Sequence, residues 1–134
     1  MISYRVGNQV SVEEVIDLYR SSGLGVYRPV DDRERMQQMM DHANLVVSAW
    51  DDQRLVGMAR SLSDFSFNTY LADLAVRAEY QRRGIGRELM RRTQAEGGQA
   101  SIFLFAAPEA VDYYPRVGFS AGSGWYLQEF RRLR

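Results

Sequence analysis

The chain has 134 residues, 46% of them hydrophobic and 25% charged, with a formal net charge of zero. That is the size and balance of one globular domain, expected to run over 1–134, with a core large enough to need no disulfide or metal staple. It contains no cysteine and no lysine, all 17 basic residues being arginine, which excludes thiol nucleophiles, thiolate zinc sites, disulfides and Schiff-base chemistry.

In chain order, "ISYRV" alternates like an opening strand. "SVEEVIDLYRSSG" predicts a helix with a capping box, Ser11 with Glu14, and Val12, Val15, Ile16 and Tyr19 at helical spacing. "VDDRERMQQMMDH" predicts a second helix, capped by Asp31 or Asp32, with Met36, Met39 and Met40 facing the core. "NLVVSAW" and "RLVGMARSLS" read as a hairpin about the turn "DDQ". "TYLADLAV" is apolar nearly throughout, as a central strand would be. A helix starting near Gly84 carries Ile85, Leu89 and Met90 on one side and stops at Gly97-Gly98. "ASIFLFAA" predicts a buried strand, "PEAVDYYPRVGF" a short helix starting at Pro108, and "GWYLQEF" a closing strand. The order β-α-α-β-β-β-α-β-α-β describes a mixed α/β domain around one sheet.

No apolar run approaches the roughly 20 residues of a membrane span. The opening "MISYRVGNQV" lacks the apolar core of a secretory signal, so a cytoplasmic location and no membrane partner are expected. His42, the only histidine, follows a helical pattern; it cannot supply the paired imidazoles of most catalytic zinc sites, and no metal is expected. It reads as a helix-end residue. Chemistry is left to carboxylates, hydroxyls, backbone amides and arginines, or to a co-substrate that arrives activated.

Charge is unevenly spread. Arg77, Arg82, Arg83, Arg87, Arg91 and Arg92 face only Glu79 and Glu88 between positions 77 and 92, a local excess that favours an anionic partner. The excess surrounds "YQRRGIGREL". A helix amino terminus presents unpaired N–H groups and the positive end of its dipole, and Gly84 and Gly86 let a phosphate approach the backbone. A P-loop needs a lysine that the chain lacks, and the dinucleotide fingerprint needs a third glycine where Leu89 stands.

"LAVRAEYQRRGIGRELM" resembles the acetyl-coenzyme A signature of the GNAT superfamily of N-acetyltransferases: Leu74 and Val76 in a strand, then Gln81-Arg82-Arg83-Gly84-Ile85-Gly86 opening a helix. "AVDYYPRVGF" resembles the second motif of that family, A-x-x-[FY]-Y-x-x-x-G-F, one helix and one strand further on. The resemblance covers the whole chain. It implies the GNAT (acyl-CoA N-acyltransferase) fold, a mixed, mostly antiparallel sheet of about six to seven strands with splayed central strands, flanked by about four helices. It implies acetyl-CoA as co-substrate and an amine as acceptor. The backbone of Leu74, Ala75 and Val76 would line the pantetheine arm as a missing strand does, with the Val76 N–H at the thioester oxygen. Amides from Gln81, Arg82, Arg83, Gly84, Ile85, Gly86 and Arg87 would hold the pyrophosphate. Tyr114 matches the tyrosine that protonates the departing thiolate, with Tyr113 as a packing aromatic. Ala107 departs from an asparagine common in the family, and Pro115 from a charged residue.

Asp73 is either the base that takes the acceptor's proton or a structural carboxylate. Tyr27, Asp64, Phe67 and Tyr70 are candidate acceptor contacts, in segments where aromatics beside a carboxylate suit a cationic or aromatic amine. Arg28 could hold a carboxylate. Trp125 could line the acceptor side or a dimer contact, and homodimers are common in the superfamily. The alternative reading is a GNAT-like module that binds acyl-CoA without turnover. Nucleic-acid binding lacks both interleaved stacking aromatics and a recognition-helix module.

Overall fold

The structure is a computed structural model that describes residues 1–129 and 131–134. Strand β1 (Ile2–Val6) leads into helix α1 (Val12–Ser22) at Ser11. The Glu14 amide donates to the Ser11 hydroxyl while the Ser11 amide donates to the Glu14 carboxylate, the capping box read from the sequence. Val12, Val15, Leu18 and Tyr19 form its buried stripe, and Gly23 ends it in the left-handed region. Asp32 caps α2 (Arg33–Asp41) by accepting from the Arg35 amide, and Met36 and Met40 are buried with Met39 packed beside them. His42 closes α2 with its Nδ1 2.9 Å from the Gln38 carbonyl.

Strands β2 (Leu45–Asp51), β3 (Arg54–Ser63) and β4 (Asn68–Val76) continue an antiparallel meander from β1. Helix α3 (Ile85–Glu96) then makes the crossover that a parallel neighbour requires, and β5 (Ser101–Phe103) pairs parallel with β4. The sheet order is β1-β2-β3-β4-β5, with β4 interior as its apolar sequence suggested. Helices α1 and α2 cover one face over a core of Tyr19, Leu18, Met36, Met40, Trp50 and Met58; α3 covers the other over Val47, Val56, Leu71, Ile85 and Leu89. Gly57 allows α3 to lie on β3: a Cβ there would stand 3.1 Å from Leu89 and 3.2 Å from Ile85.

One irregularity orients the rest. Arg60 pairs with Asp73 and Ser61 with Leu71, so Ala72 is bulged out of register on β4. The bulge resets which side chains face which layer. Asp73 and Ala75 meet the α1 face, while Leu71, Leu74 and Val76 pack with α3.

Two strand expectations are corrected. The sheet has five strands among the described residues. "ASIFLFAA" is a strand only over Ser101–Phe103, and it is half-buried by alternation: Ile102 and Leu104 pack toward α3 while Phe103 and Phe105 lie exposed. "GWYLQEF" forms no strand over 124–129, where every residue is exposed; β5, only three residues long, is the neighbour it would have needed. Phe130 lies outside the described residues. "PEAVDYYPRVGF" resolves into a 3-10 turn at Pro108–Ala110 and α4 (Tyr113–Arg116).

Candidate active site

Strands β4 and β5 pair only at Asn68, Thr69 and Tyr70 with Ser101, Ile102 and Phe103. Beyond that point β4 runs on to Val76 while the other chain leaves the sheet, so the two diverge. The Arg77 amide donates to the Val56 carbonyl on β3. By the alternation of a strand, Val76 and Leu74 therefore turn their backbone groups the opposite way, into the gap. The Val76 carbonyl accepts from the Gln81 side chain at 2.9 Å, tying the following loop back to the strand. What is left facing the gap is a short run of edge backbone, the surface to which an extended amide-bearing arm can add.

The loop after β4 is built to expose amides. Gly84 holds φ 81° at the amino end of α3, and Arg82 holds φ 65° two residues earlier. Glycine adopts that conformation without the Cβ strain an L side chain brings. No side chain caps α3, so its first-turn N–H groups, with the positive end of the dipole, face outward. The arginine cluster sorts into two halves. Arg77 is buried, donating to the Leu55 carbonyl and pairing with Asp17 at 2.7 Å; Arg91 and Arg92 both pair with Glu88, whose carboxyl they hold at about 2. Arg82, Arg83 and Arg87 have no carboxylate partner among the described residues, and all three are exposed at the uncapped helix end. Arg83 lies 5.1 Å over the ring of Tyr80, whose hydroxyl donates to Asp51. From Gly84 and Arg87 a groove of about 520 Å³ runs along α3 past Ile102 to Gly118 and Phe119.

Tyr113 and Tyr114 start α4 and pack edge to face, with Tyr114 also edge-on to Phe119. The Tyr113 hydroxyl lies toward Gly86, close to the side chains of Leu74 and Val76. The Tyr114 phenol is half-buried; burial raises its pKa, the neighbouring Tyr113 adds to the rise, and Arg28 opposes it. It is a protonated hydroxyl at neutral pH.

Asp73 has the surroundings of the second of its two readings, the structural carboxylate. It is 1% exposed and both oxygens are engaged: Oδ1 accepts from Arg28 Nε at 2.5 Å, and Oδ2 from Arg60 Nε at 2.7 Å and the Tyr19 hydroxyl at 2.6 Å. Burial alone would raise its pKa; the Arg60 and Arg28 guanidiniums and the hydrogen bonds to it outweigh burial and hold the carboxyl below its ordinary range. A carboxylate so stabilised is a poor proton acceptor. Its role is to anchor two arginines. Tyr19 was read only as an apolar-face residue of α1 and Arg60 was not singled out, although an arginine inside the apolar "RLVGMARSLS" opposite an aspartate inside "LADLAV" is a pairing signal once register is known.

The four acceptor candidates separate. One oxygen of Asp64 accepts from the amides of Ser66, Phe67 and Asn68, so it holds the β3–β4 turn. Phe67 sits exposed in that same turn, beyond Asn68 at the far end of β4 from Val76. Tyr70 and Tyr27 stay near the gap. Tyr70 stacks on Phe103 at the point where the strands separate, and Tyr27 donates to Glu109 across to the segment after β5. Trp125 is exposed.

The profile of the "Acetyltransferase (GNAT) domain" matches residues 15–125. The chain belongs to the GNAT family of acetyltransferases. It is similar to "GCN5-related N-acetyltransferase 2, chloroplastic" of Arabidopsis thaliana, 37% identical over 84 residues that make up 56% of this chain and 33% of that protein; the chain thus spans about a third of the length of that relative. The GNAT-family acetyltransferase of Streptococcus pneumoniae TIGR4 superposes with a TM-score of 0.76 at 27% identity, covering 96% of this chain and 100% of that one. An aminoglycoside N-acetyltransferase solved in complex with CoA shares the fold, with a TM-score of 0.72 at 15% identity over 98% of this chain and 96% of its own. The GNAT fold expected from the sequence is therefore the fold observed, with five strands. The cytoplasmic expectation gains no support, since the Arabidopsis relative is named chloroplastic. Among the described residues no helix is long and apolar enough to cross a membrane.

Proposed function

We propose that this domain moves the acetyl group of acetyl-CoA to a primary amine, of a small molecule or a peptide, by direct attack. The observation that carries the reading is the uncapped amino end of α3, with Arg82, Arg83 and Arg87 unpaired around it, next to the unpaired edge of β4. Amides from Gln81 to Arg87 and the three arginines take the pyrophosphate. The Leu74 and Val76 backbone takes the pantetheine amides, with Ala75 between them. The amine nitrogen attacks the thioester carbonyl, the oxygen becomes an oxyanion at the Val76 N–H, and the nitrogen gives up a proton to water; the C–S bond then breaks as the carbonyl re-forms, the thiolate takes the Tyr114 proton, and solvent returns a proton to the phenolate. No covalent enzyme intermediate is needed, and positioning supplies much of the rate. No base among the side chains is assigned, Asp73 being ionised and enclosed.

Two measurements test this. Coenzyme A should raise the melting temperature in a concentration-dependent way, and no shift at about millimolar ligand removes the assignment. Tyr114→Phe should lower kcat for amine-dependent thiol release by about 10²–10⁴-fold while leaving the CoA-induced shift in place. An unchanged rate removes the acid role. A CoA shift with no turnover of any amine would instead mark a non-catalytic acyl-CoA-binding module.

A further inference from the structure

We propose that the acceptor is an amine bearing both an aromatic ring and a carboxylate, the class of the aromatic amino acids, with its carboxylate on Arg28 and its ring on a shelf formed by Tyr70, Phe103 and Phe105. The proposal rests on the acetyl-transfer reading above and goes on to name the acceptor.

The first observation is a charge imbalance. Asp73 is one carboxylate between two guanidiniums, and no other ion pair involves Arg28 or Arg60 among the described residues. The cluster therefore carries a surplus positive charge. Arg60 is buried, and its remaining hydrogen bond goes to the Met39 carbonyl. The surplus is presented by Arg28, whose side chain is 24% exposed. The one other carboxylate tied to this corner, Glu109, bonds the Tyr27 hydroxyl and forms no ion pair with Arg28.

The second observation is how Arg28 is held. Its Nε donates to Asp73, one Nη to the Ala72 carbonyl at 2.8 Å and the other to the Tyr27 carbonyl at 3.0 Å. A guanidinium has five N–H groups, so one on each terminal nitrogen is without a partner among the described residues. Surface arginines are flexible and bind anions at an entropic cost. This one is fixed at three points, with two remaining donors that suit a carboxylate.

The third observation is the shelf. Tyr70 and Phe103 stack at 5.2 Å with planes 15° apart, and Phe105 stands edge-on to Tyr70 at 6.0 Å. Phe103 is 45% exposed and Phe105 54% exposed, on the sheet face that α1 and α2 cover elsewhere. Tyr126 leans over Phe105 at 6.2 Å from the following segment. Tyr70 precedes by two residues the carbonyl that Arg28 grips, roughly 7 Å along the strand, and it sits where β4 and β5 part. A flat ring on this shelf gains edge and stacking contacts that an aliphatic chain does not. The anion site, the shelf and the mouth of the gap thus share one corner.

The test compares phenylalanine, phenylalaninamide, phenethylamine, leucine and spermidine at saturating acetyl-CoA, following thiol release. Phenylalanine should exceed phenylalaninamide in kcat/KM by about 10–100-fold, the scale of hydrogen bonds to a charged group, with most of the difference in KM. The amide has the less basic, more available amine, so basicity cannot produce that preference. Arg28→Gln should collapse the ratio by raising KM for phenylalanine, and Arg28→Lys should restore part of it. A retained CoA-induced melting shift in both variants shows that the fold is intact. Equal use of acid and amide, or an equal loss on both in Arg28→Gln, overturns the carboxylate assignment. Preference for leucine or spermidine overturns the shelf and leaves acetyl transfer standing. Failure of all five amines, with CoA still binding, overturns this proposal; failure of peptide amines as well removes the acetyl-transfer reading.

Discussion

The two faces of the sheet treat their polar groups in opposite ways. On the face of α1 and α2 the chain supplies its own partners: Ser11 and Glu14 close one helix end, Asp32 closes the next, and Asp73 accepts from two arginines and Tyr19. On the face of α3 the equivalent partners are missing. Among the described residues, Gly84 has no side chain to cap with, three arginines lack carboxylates, and the β4 edge from Leu71 onward has no neighbouring strand. An uncapped helix end, arginines without carboxylates and an open strand edge gathered in one place suit an anionic, amide-bearing ligand. Apart from the two donors that Arg28 leaves without a partner among the described residues and the aromatic corner beside it, the first face is finished by folding, and the second is left open to a ligand.

The largest effect should come from breaking the satisfied face. Asp73→Ala leaves the Arg60 guanidinium buried without a counter-charge, a loss of about 3–5 kcal/mol readable by urea denaturation at neutral pH. Asp73→Asn keeps the shape and should lose less. The pH dependence follows from the lowered pKa of Asp73. A carboxyl whose folded pKa lies below its unfolded value stabilises fully above the unfolded value and loses that contribution as pH falls through the folded one. Stability should therefore drop on acidification below the ordinary carboxylate range, and that component should be absent from Asp73→Asn. An unchanged acid limb in the variant would show that Asp73 does not hold the face together.

On the open face, improving the fold should harm the ligand. Gly86 occupies the first turn of α3, and a Cβ there would stand 3.7 Å from the Tyr113 hydroxyl and 3.8 Å from both Leu74 and Val76, ordinary contact distances. Gly86→Ala should accordingly fold, and should gain about 0.5–1 kcal/mol from helix propensity. If the pantetheine arm runs beside Leu74 and Val76 as proposed, the same methyl narrows its space, and CoA affinity should fall by about tenfold. Opposite signs in melting temperature and in CoA titration support the comparison. A variant that binds CoA as tightly as the parent would place the cofactor elsewhere.

The contrast was partly visible in the sequence, and the parts that were visible share a property. Capping boxes, glycine-rich helix starts and apolar periodicity are local, so Ser11, Asp32, Gly84 and the methionine stripe read correctly within a few residues. Asp73 stayed open between two readings, because its partners lie 13, 45 and 54 residues away and depend on a bulge at Ala72 that resets the register. The arginine excess was legible as a number but not as a division: only the structure separates Arg77, Arg91 and Arg92 from Arg82, Arg83 and Arg87. The missing last strand fails for the same reason. "GWYLQEF" has strand-like residues, but a strand is made by its neighbour, and β5 stops before it can serve as one.

The smallest effect is the most discriminating control. Ser11→Ala removes the hydroxyl that accepts from the Glu14 amide and, with it, the reciprocal bond that makes the capping box. The expected loss is about 1 kcal/mol of stability, seen as a shift in denaturation midpoint with an unchanged slope. Ser11 lies on the opposite face of the sheet from Gly84, and its amides are already satisfied internally. CoA affinity and amine turnover should therefore stay at the parental value once the protein is folded. If the amino end of α1 mattered to CoA as much as that of α3, a positive helix end would be sufficient for binding wherever it occurred. An effect confined to stability makes the point that α3 differs from α1 in what has been left uncapped beside the open strand edge, not in being a helix.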